Sequence, residues 1–485
     1  MGNVVPIVPT GVAPGIPDRE VYGDPSVFTP DQWITYLHGL HVSRGAGRHY
    51  DIRLGTEETD LLSWAAKKAP PALPQEKILA IQQPIHDYTY KDFFGKIPKG
   101  YGAGVVYPTE QHPALVLDSS SKHLTFTVDY GSFARRFRLQ HLGGRKWLLI
   151  NITPTAELPA KPKYKLLDDD EAKELITEVG GKIFSVQPKI DGALVFVTLN
   201  DKVEIFSHRI STRTGLPIFH TERVLGADYK VTIPKEYKGS ILVGELYGVQ
   251  KTPKGERILT PIELSAILNS GLYKARERLQ KLGIQLRIYL FDVAKRGKEA
   301  LKDDWYDSTV YPERRKFLDK VVKYLPSNFH VPIDEALTEQ DARQLLLNIQ
   351  KGMHTLTREG IVFHPTLGVP FKYKLLQEDN YYIVGFTPGQ GKYKDAIGGI
   401  LISDKPGGKP IAVVGTGLTD ELRYELAKNK EAYLGRRVRV AYQEKTPKGS
   451  LRAPRLVAIE EEGNEIIKKA LRCVLGGIGV ATQRY

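Results

Sequence analysis

Between Trp33 and about Ile152, apolar residues come in short runs broken by Gly and Pro turns, as in Leu124-Thr-Phe-Thr-Val128 and Trp147-Leu-Leu-Ile150. Runs of that length with that punctuation predict a mainly β domain. Ahead of it, residues 1–32 interleave Pro6, Pro9, Pro14, Pro17, Pro25 and Pro30 with Gly. Proline fixes φ and removes a donor, so an extended arm is expected there. Residues 153–166 read as a Pro- and Lys-rich linker into a segment of mixed pattern that runs to residue 378. Its strands are predicted at Ala193-Leu-Val-Phe-Val197 and Ile241-Leu-Val243, and a helix near Pro312–Val322. From 379 to 460 β patterning returns in Tyr382-Ile-Val-Gly-Phe386, Ile411-Ala-Val-Val414 and Arg437-Val-Arg-Val-Ala441, with Gly389, Gly391, Gly398 and Gly399 in the turns. Short strands at this density suit a small barrel of the OB type. In 461–485, Ile466, Ile467, Ala470, Leu471, Val474 and Leu475 share one helical face, which predicts a docked terminal helix.

Composition narrows the partners. At 485 residues the chain needs roughly three domains. Its 69 Lys and Arg against 56 acids give +13, a surplus that favours a polyanionic partner such as nucleic acid or an anionic surface. The single cysteine, Cys473, excludes an internal disulfide and a thiolate metal cluster. No apolar stretch approaches the roughly 18 residues a membrane span needs, and the first positive charge is Arg19, so neither a span nor a signal peptide is expected.

Candidate chemistry centres on Gln187-Pro-Lys189-Ile-Asp191-Gly192, directly before the strand at Ala193. A lysine at a strand edge beside an Asp-Gly turn suits a nucleophilic amine, although a surface β-turn has the same pattern. In order there follow Ser207-His208-Arg209, Gly244-Glu245, Leu290-Phe291-Asp292, Glu359-Gly360-Ile-Val362 and Phe371-Lys372-Tyr-Lys374. Strand alternation puts Lys372 and Lys374 on one face, which must meet solvent or anions. This ordered set resembles the adenylation domain of ATP-dependent DNA ligases, and with the barrel after it the resemblance covers about residues 155–460.

That resemblance implies an α+β nucleotidyltransferase domain with ATP-grasp-like antiparallel sheets. In it Lys189 attacks the α-phosphate of ATP to form Lys-AMP, within a nucleotide pocket that includes Asp191 and Gly192. Arg209 and Glu245 become ribose and nick contacts, Phe291 the platform under adenine, and Lys372 and Lys374 the α-phosphate contacts. Glu245 and Glu359 supply oxygen ligands for Mg²⁺. Cations near an amine favour its neutral, attacking form and also neutralise the phosphate. In the last barrel, Gly449-Ser-Leu-Arg452-Ala-Pro-Arg455-Leu resembles the final ligase motif, so Arg452 and Arg455 would orient the outer phosphates of ATP. Two departures stand out. Leu194 occupies a position where ligases often carry Arg, with Arg213 or Lys182 the basic residues at hand. The form Lys-Ile-Asp-Gly-Ala-Leu is shared with NAD-dependent ligases, but one cysteine cannot build the zinc cluster those enzymes carry, so ATP is the expected cofactor.

The first domain carries a second constellation. In His41-Val-Ser-Arg44-Gly-Ala-Gly-Arg48-His49-Tyr50-Asp51-Ile-Arg53, alternation puts His49, Asp51 and Arg53 on one strand face. Imidazole, carboxylate and guanidinium together suit a divalent metal plus a phosphate. With Ser63-Trp64, His86-Asp-Tyr-Thr-Tyr90, Phe93-Phe-Gly95 and Ile97–Gly104, residues 35–152 resemble the 3′-phosphoesterase domain of bacterial end-joining ligases. By that resemblance His41, His49 and Asp51 would hold Mn²⁺ or a similar ion, and Arg53, His86 and Tyr90 would contact a 3′-terminal phosphate. The spacer between His41 and His49 is longer than in the family pattern. This leaves two readings open: an active end-processing domain, or a DNA-gripping relic with His41 displaced and His38 its poor substitute.

The function expected is a monomeric ATP-dependent DNA ligase acting on nicked duplex DNA, with no membrane partner, in the cytoplasm or wherever the host keeps its DNA. An RNA ligase or capping-type nucleotidyltransferase, and a non-enzymatic DNA-end-binding protein, remain as alternatives.

Overall fold

The computed structural model describes residues 21–100, 102–299, 309–443, 445–446 and 448–460. It separates into two compact units. The first comprises the described residues within 1–165, 178–339 and 364–370, the second those within 166–177, 340–363 and 371–485.

The first unit begins with a closed β-barrel. Its strands are β1 (Trp33–Ser43), β2 (Gly47–Thr56), β3 (Asp60–Ala66), β4 (Lys77–His86), the short β5 (Gly95–Ile97) and β6 (Gly104–Val106), β7 (Glu110–Ser120), β8 (His123–Asp129), β9 (Ala134–Gly143) and β10 (Lys146–Asn151). The pairing order β2-β3-β4-β10-β9-β8-β7-β1 closes because β1 also pairs with β2. Alternation along the strands sends Ile34, Tyr36, Ile52, Leu54, Trp64, Phe126, Phe137 and Leu149 to the interior, where they form one apolar core. β1 is long enough to serve two partners. Its first half pairs with β7, and beyond the end of β7 its residues His41–Ser43 pair with β6. The ribbon of β5 and β6 is thereby folded over the outer face of the barrel wall, above a second cluster of Leu37, Leu61, Tyr90, Phe93 and Val106.

Residues 21–32 differ from the extended arm that their prolines suggested. Tyr22 bridges to Pro84, the Gln82 amide donates to the Gly23 carbonyl at 2.6 Å, and Phe28 is 1% exposed in the barrel core. Asp24 caps a short turn at Pro25–Val27. One aromatic anchor outweighs the backbone preference of the prolines around it. Residues 1–20 and the expected terminal helix of 465–475 lie outside the described residues.

The rest of the first unit is built on an antiparallel sheet in the order Pro217–Phe219, Val203–Ile210, Ala193–Leu199, Ser240–Thr252, Ile284–Lys295, with Phe329–His330 added in parallel at the end. One face buries Val195, Val197, Ile205, Leu242, Leu246, Ile288 and Leu290 against Leu264, Leu318 and Val321 of the helices Pro261–Leu268 and Tyr311–Val321. The helix expected near Pro312–Val322 is the second of these. Pro261 at the start of the first, between Thr260 and Glu263 in a capping box, explains where that helix begins.

In the second unit, Gly360–Phe363 pair antiparallel with Phe371–Lys374. A five-stranded sheet follows, in the order Ala412–Val414, Ile397–Ser403, Gln377–Pro388, Arg437–Tyr442, Arg455–Ile459. Its core of Tyr381, Ile383, Ile400, Ile402, Val438 and Val440 is joined by Leu426 of the helix Asp420–Lys428. This is the OB-fold that the sequence predicts, and the chain is a multidomain α+β protein rich in β structure.

Candidate functional site

The clearest constellation lies on the outer face of the barrel. His41 on β1 is directly opposite His49 on β2, and Asp51 follows two residues along β2, so all three share one face. His41 Nδ1 is 3.2 Å from Asp51 Oδ2, and His49 Nε2 is 3.4 Å from Asp51 Oδ1. One ligand atom from each residue lies within 4.8 Å of the others, and all three residues are buried. The outward ring nitrogens are engaged elsewhere. His41 Nε2 is 2.9 Å from the Gly102 carbonyl, and His49 Nδ1 is 2.9 Å from the Gly47 carbonyl. A ring nitrogen facing a carbonyl carries a proton, which turns the other nitrogen of each ring toward Asp51, where it donates to the carboxylate and, once deprotonated, would offer its lone pair to a bound cation. Two imidazoles and a carboxylate with backbone-fixed tautomers fit a divalent cation.

Electrostatics agree. Burial would raise the Asp51 carboxyl, but the Arg53 guanidinium and hydrogen bonds from His41 and His49 outweigh it and hold the group well below its ordinary range. The hydrogen bond to Asp51 raises the proton affinity of His49. Arg53 donates Nη2 to Asp51 Oδ2 at 2.9 Å and stacks 4.8 Å over the Tyr90 ring. Its Nε and Nη1 are buried and have no hydrogen-bond partner among the described residues. A native fold rarely leaves two such donors unmet, and a guanidinium fork matches phosphate oxygens. His86 stands edge-on to Tyr90 at 5.0 Å, its Nδ1 3.0 Å from Ser63 Oγ and 2.9 Å from the Pro84 carbonyl. Burial and then the Arg53 charge push it down to about 4, so it is neutral at pH 7. The structure thus brings together His41, His49, Asp51, Arg53, His86 and Tyr90. His38 lies an odd number of residues from His41 on β1 and faces the other way, so it is not a ligand here. Ser63 and the Gly102 carbonyl were not anticipated as parts of the site.

A second group of expected residues sits on the sheet of the first unit. Lys189 follows the strand Ile183–Pro188, and Asp191-Gly192 turn the chain into Ala193–Leu199. Gly192 is required by close approach. A Cβ there would collide with the Leu246 carbonyl and stand 3.0 Å from Glu245 Cγ. Glu245 therefore lies against the turn that carries Lys189. It pairs with Tyr289 on the neighbouring strand, where Val243 pairs with Asp292 and Gly244 with Leu290, leaving Phe291 as the extra residue of a β-bulge. Bulges re-aim side chains beside sites. The Phe291 carbonyl is held by the Tyr311 hydroxyl at 2.9 Å, and Tyr311 also accepts from Gln187 at 2.7 Å. Asp292 is a structural partner instead, buried at 2.7 Å from Arg314 Nε. Arg209 is exposed near the end of Val203–Ile210. Beside it His208 hydrogen-bonds the backbone of Leu194 and is lowered by burial and by Lys161. Burial raises the Tyr164 phenol, and the Glu245 and Asp292 charges add to that rise. The segment read as a linker therefore lines this region, a role its composition did not signal.

The second unit holds the remaining residues. Lys374 Nζ pairs with Glu359 at 3.2 Å. Gly360 adopts φ +146, and a Cβ there would strike the Tyr373 carbonyl, which explains the glycine after Glu359. Tyr373 is buried with its hydroxyl on Asp169 at 2.9 Å, while Lys372 and Lys374 are partly exposed on the other face, as alternation predicts. Arg452 is half-buried and Arg455 exposed, on either side of Ala453 at φ +49. Among the described residues no helix is long and apolar enough to cross a membrane.

Comparison with known proteins agrees at both ends of the chain. Residues 40–133 match the family described as the DNA Ligase D 3′-phosphoesterase domain, and residues 388–459 match the DNA ligase OB-like domain. No curated protein matches the chain. Among solved structures, a Lig E DNA ligase overlaps at TM-score 0.40 and 16% identity, over 63% of this chain and 100% of its own. A mycobacterial DNA ligase D complexed with ATP and MES overlaps at TM-score 0.28 and 16% identity, over 64% and 96%. The ATP-dependent DNA ligase of bacteriophage T7 in complex with ATP overlaps at TM-score 0.29 and 18% identity, over 61% and 98%. Scores this low carry no weight for function, which rests on the residues and the two family matches.

Proposed function

We propose that this chain is an ATP-dependent DNA ligase that seals nicks through a Lys189–AMP intermediate, and that its N-terminal barrel prepares 3′ ends for sealing. The observation that carries the first part is the Lys189-Ile-Asp191-Gly192 turn, packed against Glu245, between two segments that match ligase domains. The proposed domains follow the sequence reading, with 33–152 as end-processing barrel, 153–378 as adenylation domain and 379–460 as OB-fold. Its substrates are ATP and nicked duplex DNA.

In this reading Lys189 Nζ attacks the α-phosphate and pyrophosphate leaves; the nick 5′-phosphate then takes the AMP, and the 3′-hydroxyl displaces it. Arg209, Phe291, Lys372, Lys374, Arg452 and Arg455 bind and orient the nucleotide. Glu245 and Glu359 are the carboxylates suited to Mg²⁺, which would neutralise phosphate charge. In the barrel, His41, His49 and Asp51 would hold a divalent ion that polarises a phosphate oxygen, while Arg53 anchors the terminal phosphate and neutral His86 accepts or relays a proton.

The test is incubation with ATP labelled at the α-phosphate, beside nick sealing with ATP or NAD⁺ as the sole cofactor. Wild type should take up covalent label and seal with ATP alone, and Lys189→Ala should do neither. Sealing by Lys189→Ala at the wild-type rate would end the proposal.

A further inference from the structure

Within the first unit the barrel meets the sheet domain through a built polar junction. Arg136 on β9, 4% exposed, donates Nε to Glu222 Oε1 at 2.9 Å and Nη1 to Glu204 Oε1 at 2.5 Å. Thr127 on β8 donates its hydroxyl to the same Glu222 oxygen at 3.1 Å, and Thr221 donates to Glu204 Oε2 at 2.6 Å. A second contact lies nearby. The helix Leu272–Lys281 begins at Gly271, which has no side chain to cap it, and the barrel supplies the missing group: Asp129 Oδ2 accepts from the Tyr273 amide at 2.8 Å. A carboxylate at a helix N-terminus satisfies an orphan donor and complements the dipole. Asp31 Oδ1 accepts from Arg276 at 2.6 Å, and Leu115, Ala227 and Leu272 pack together beside Trp33.

One of these partners belongs to an element of the proposed nucleotide site. Glu204 lies on Val203–Ile210, the strand that ends with His208 and Arg209. We infer that the barrel has a second function, independent of its metal centre: it completes the nucleotidyltransferase fold, and charging of Lys189 depends on the Arg136 junction. The charging clause rests on the ligase reading above; the folding clause does not. A buried arginine shared by two carboxylates cannot be removed alone without stranding two charges, whereas neutralising all three partners removes the stranded charge. The barrel is thus more than a tethered accessory.

The experiment compares the full chain with Arg136→Met and with the triple variant Arg136→Met/Glu204→Gln/Glu222→Gln. Amide hydrogen exchange is read in Val203–Ile210 and Leu272–Lys281, with Ile397–Ser403 of the OB-fold as internal control. In Arg136→Met, protection of the first two segments should fall by at least about tenfold while the control holds, and the triple variant should recover it. Covalent uptake of labelled ATP should fall and recover in parallel. Unchanged exchange in both segments, exchange rising in the barrel alone, or a triple variant no better than the single one would overturn the inference. If wild type takes up no label, the ligase reading falls, and the exchange arm still judges the junction.

Discussion

His41 stands directly opposite His49 in the pairing of β1 with β2, with Asp51 within 3.4 Å of both rings. The pair is fixed by strand register rather than by a loop, and each ring is oriented by a backbone carbonyl. A divalent cation should therefore bind without rearrangement. Calorimetric titration of metal-free protein with Mn²⁺ should give a single site in the barrel, and His49→Ala should weaken it by at least about tenfold, since even outer-shell changes cost that much. Equal affinity in the variant would rule this centre out.

Arg53 is the group most exposed to test by a conservative change. Its Nη2 is engaged by Asp51, while Nε and Nη1 are buried without partners among the described residues. Arg53→Lys keeps the charge and loses the fork. Losing charge-assisted hydrogen bonds of this kind costs about 1.5–3 kcal/mol, so removal of a 3′-phosphate from a nicked duplex should slow by about 10- to 100-fold. Nick sealing on a ready 3′-hydroxyl substrate separates this from a folding defect. A lysine variant that removes phosphate as fast as wild type would exclude Arg53 as the anchor.

The strands around both constellations were legible because alternation and turn residues are local signals. The sequence also shows the longer spacer between His41 and His49, but not its consequence. Residues added equally to both strands lengthen a hairpin without shifting its register, so His41 stays opposite His49, and the turn is confined to Arg44–Ala46. Long-range packing stayed hidden. Phe28 anchors a proline-rich stretch, Tyr164 and Lys161 turn a linker into lining, and the pairing of Arg136 with Glu204 and Glu222 joins residues far apart in the chain. The glycines of two motifs, Gly192 and Gly360, became explicable only when the carbonyls beside them were known.

Two buried histidines should make the first unit less stable in acid. Burial, then Arg223, pushes His220 down to about 3, and burial, then Arg314 and Arg315, does the same for His364. Both folded values lie below the unfolded value near 6.5, so the unfolded chain binds protons that the fold refuses. Their contribution is fully present above about pH 6.5 and is lost as pH falls toward 3. Each costs roughly 1.4 kcal/mol per pH unit in that window, about 4 kcal/mol for the two by pH 5. Urea unfolding at pH 7.5 and pH 5 should show that drop. His364→Phe, which keeps a ring stacked 4.3 Å from Tyr311, should reduce the slope. An unchanged slope would mean that His364 is protonated in the fold.

In the second unit, Lys374 pairs with Glu359 at 3.2 Å, and the Glu359 side chain is 7% exposed. Each substitution breaks this ion pair from a different side, so Lys374→Met and Glu359→Gln should differ in what they retain. If Lys374 contacts the α-phosphate, Lys374→Met removes a cation from the transition state, and charging of Lys189 should fall by about 10²- to 10³-fold, the scale seen when one preorganised donor is lost. Glu359→Gln keeps the shape and a hydrogen bond to Lys374 but weakens oxygen ligation of Mg²⁺. Its defect should therefore be partly relieved at high Mg²⁺, whereas that of Lys374→Met should not. Measuring covalent label from ATP across a Mg²⁺ series distinguishes the two. Relief of the lysine variant by Mg²⁺, or full activity of either variant, would remove this pair from the nucleotide site.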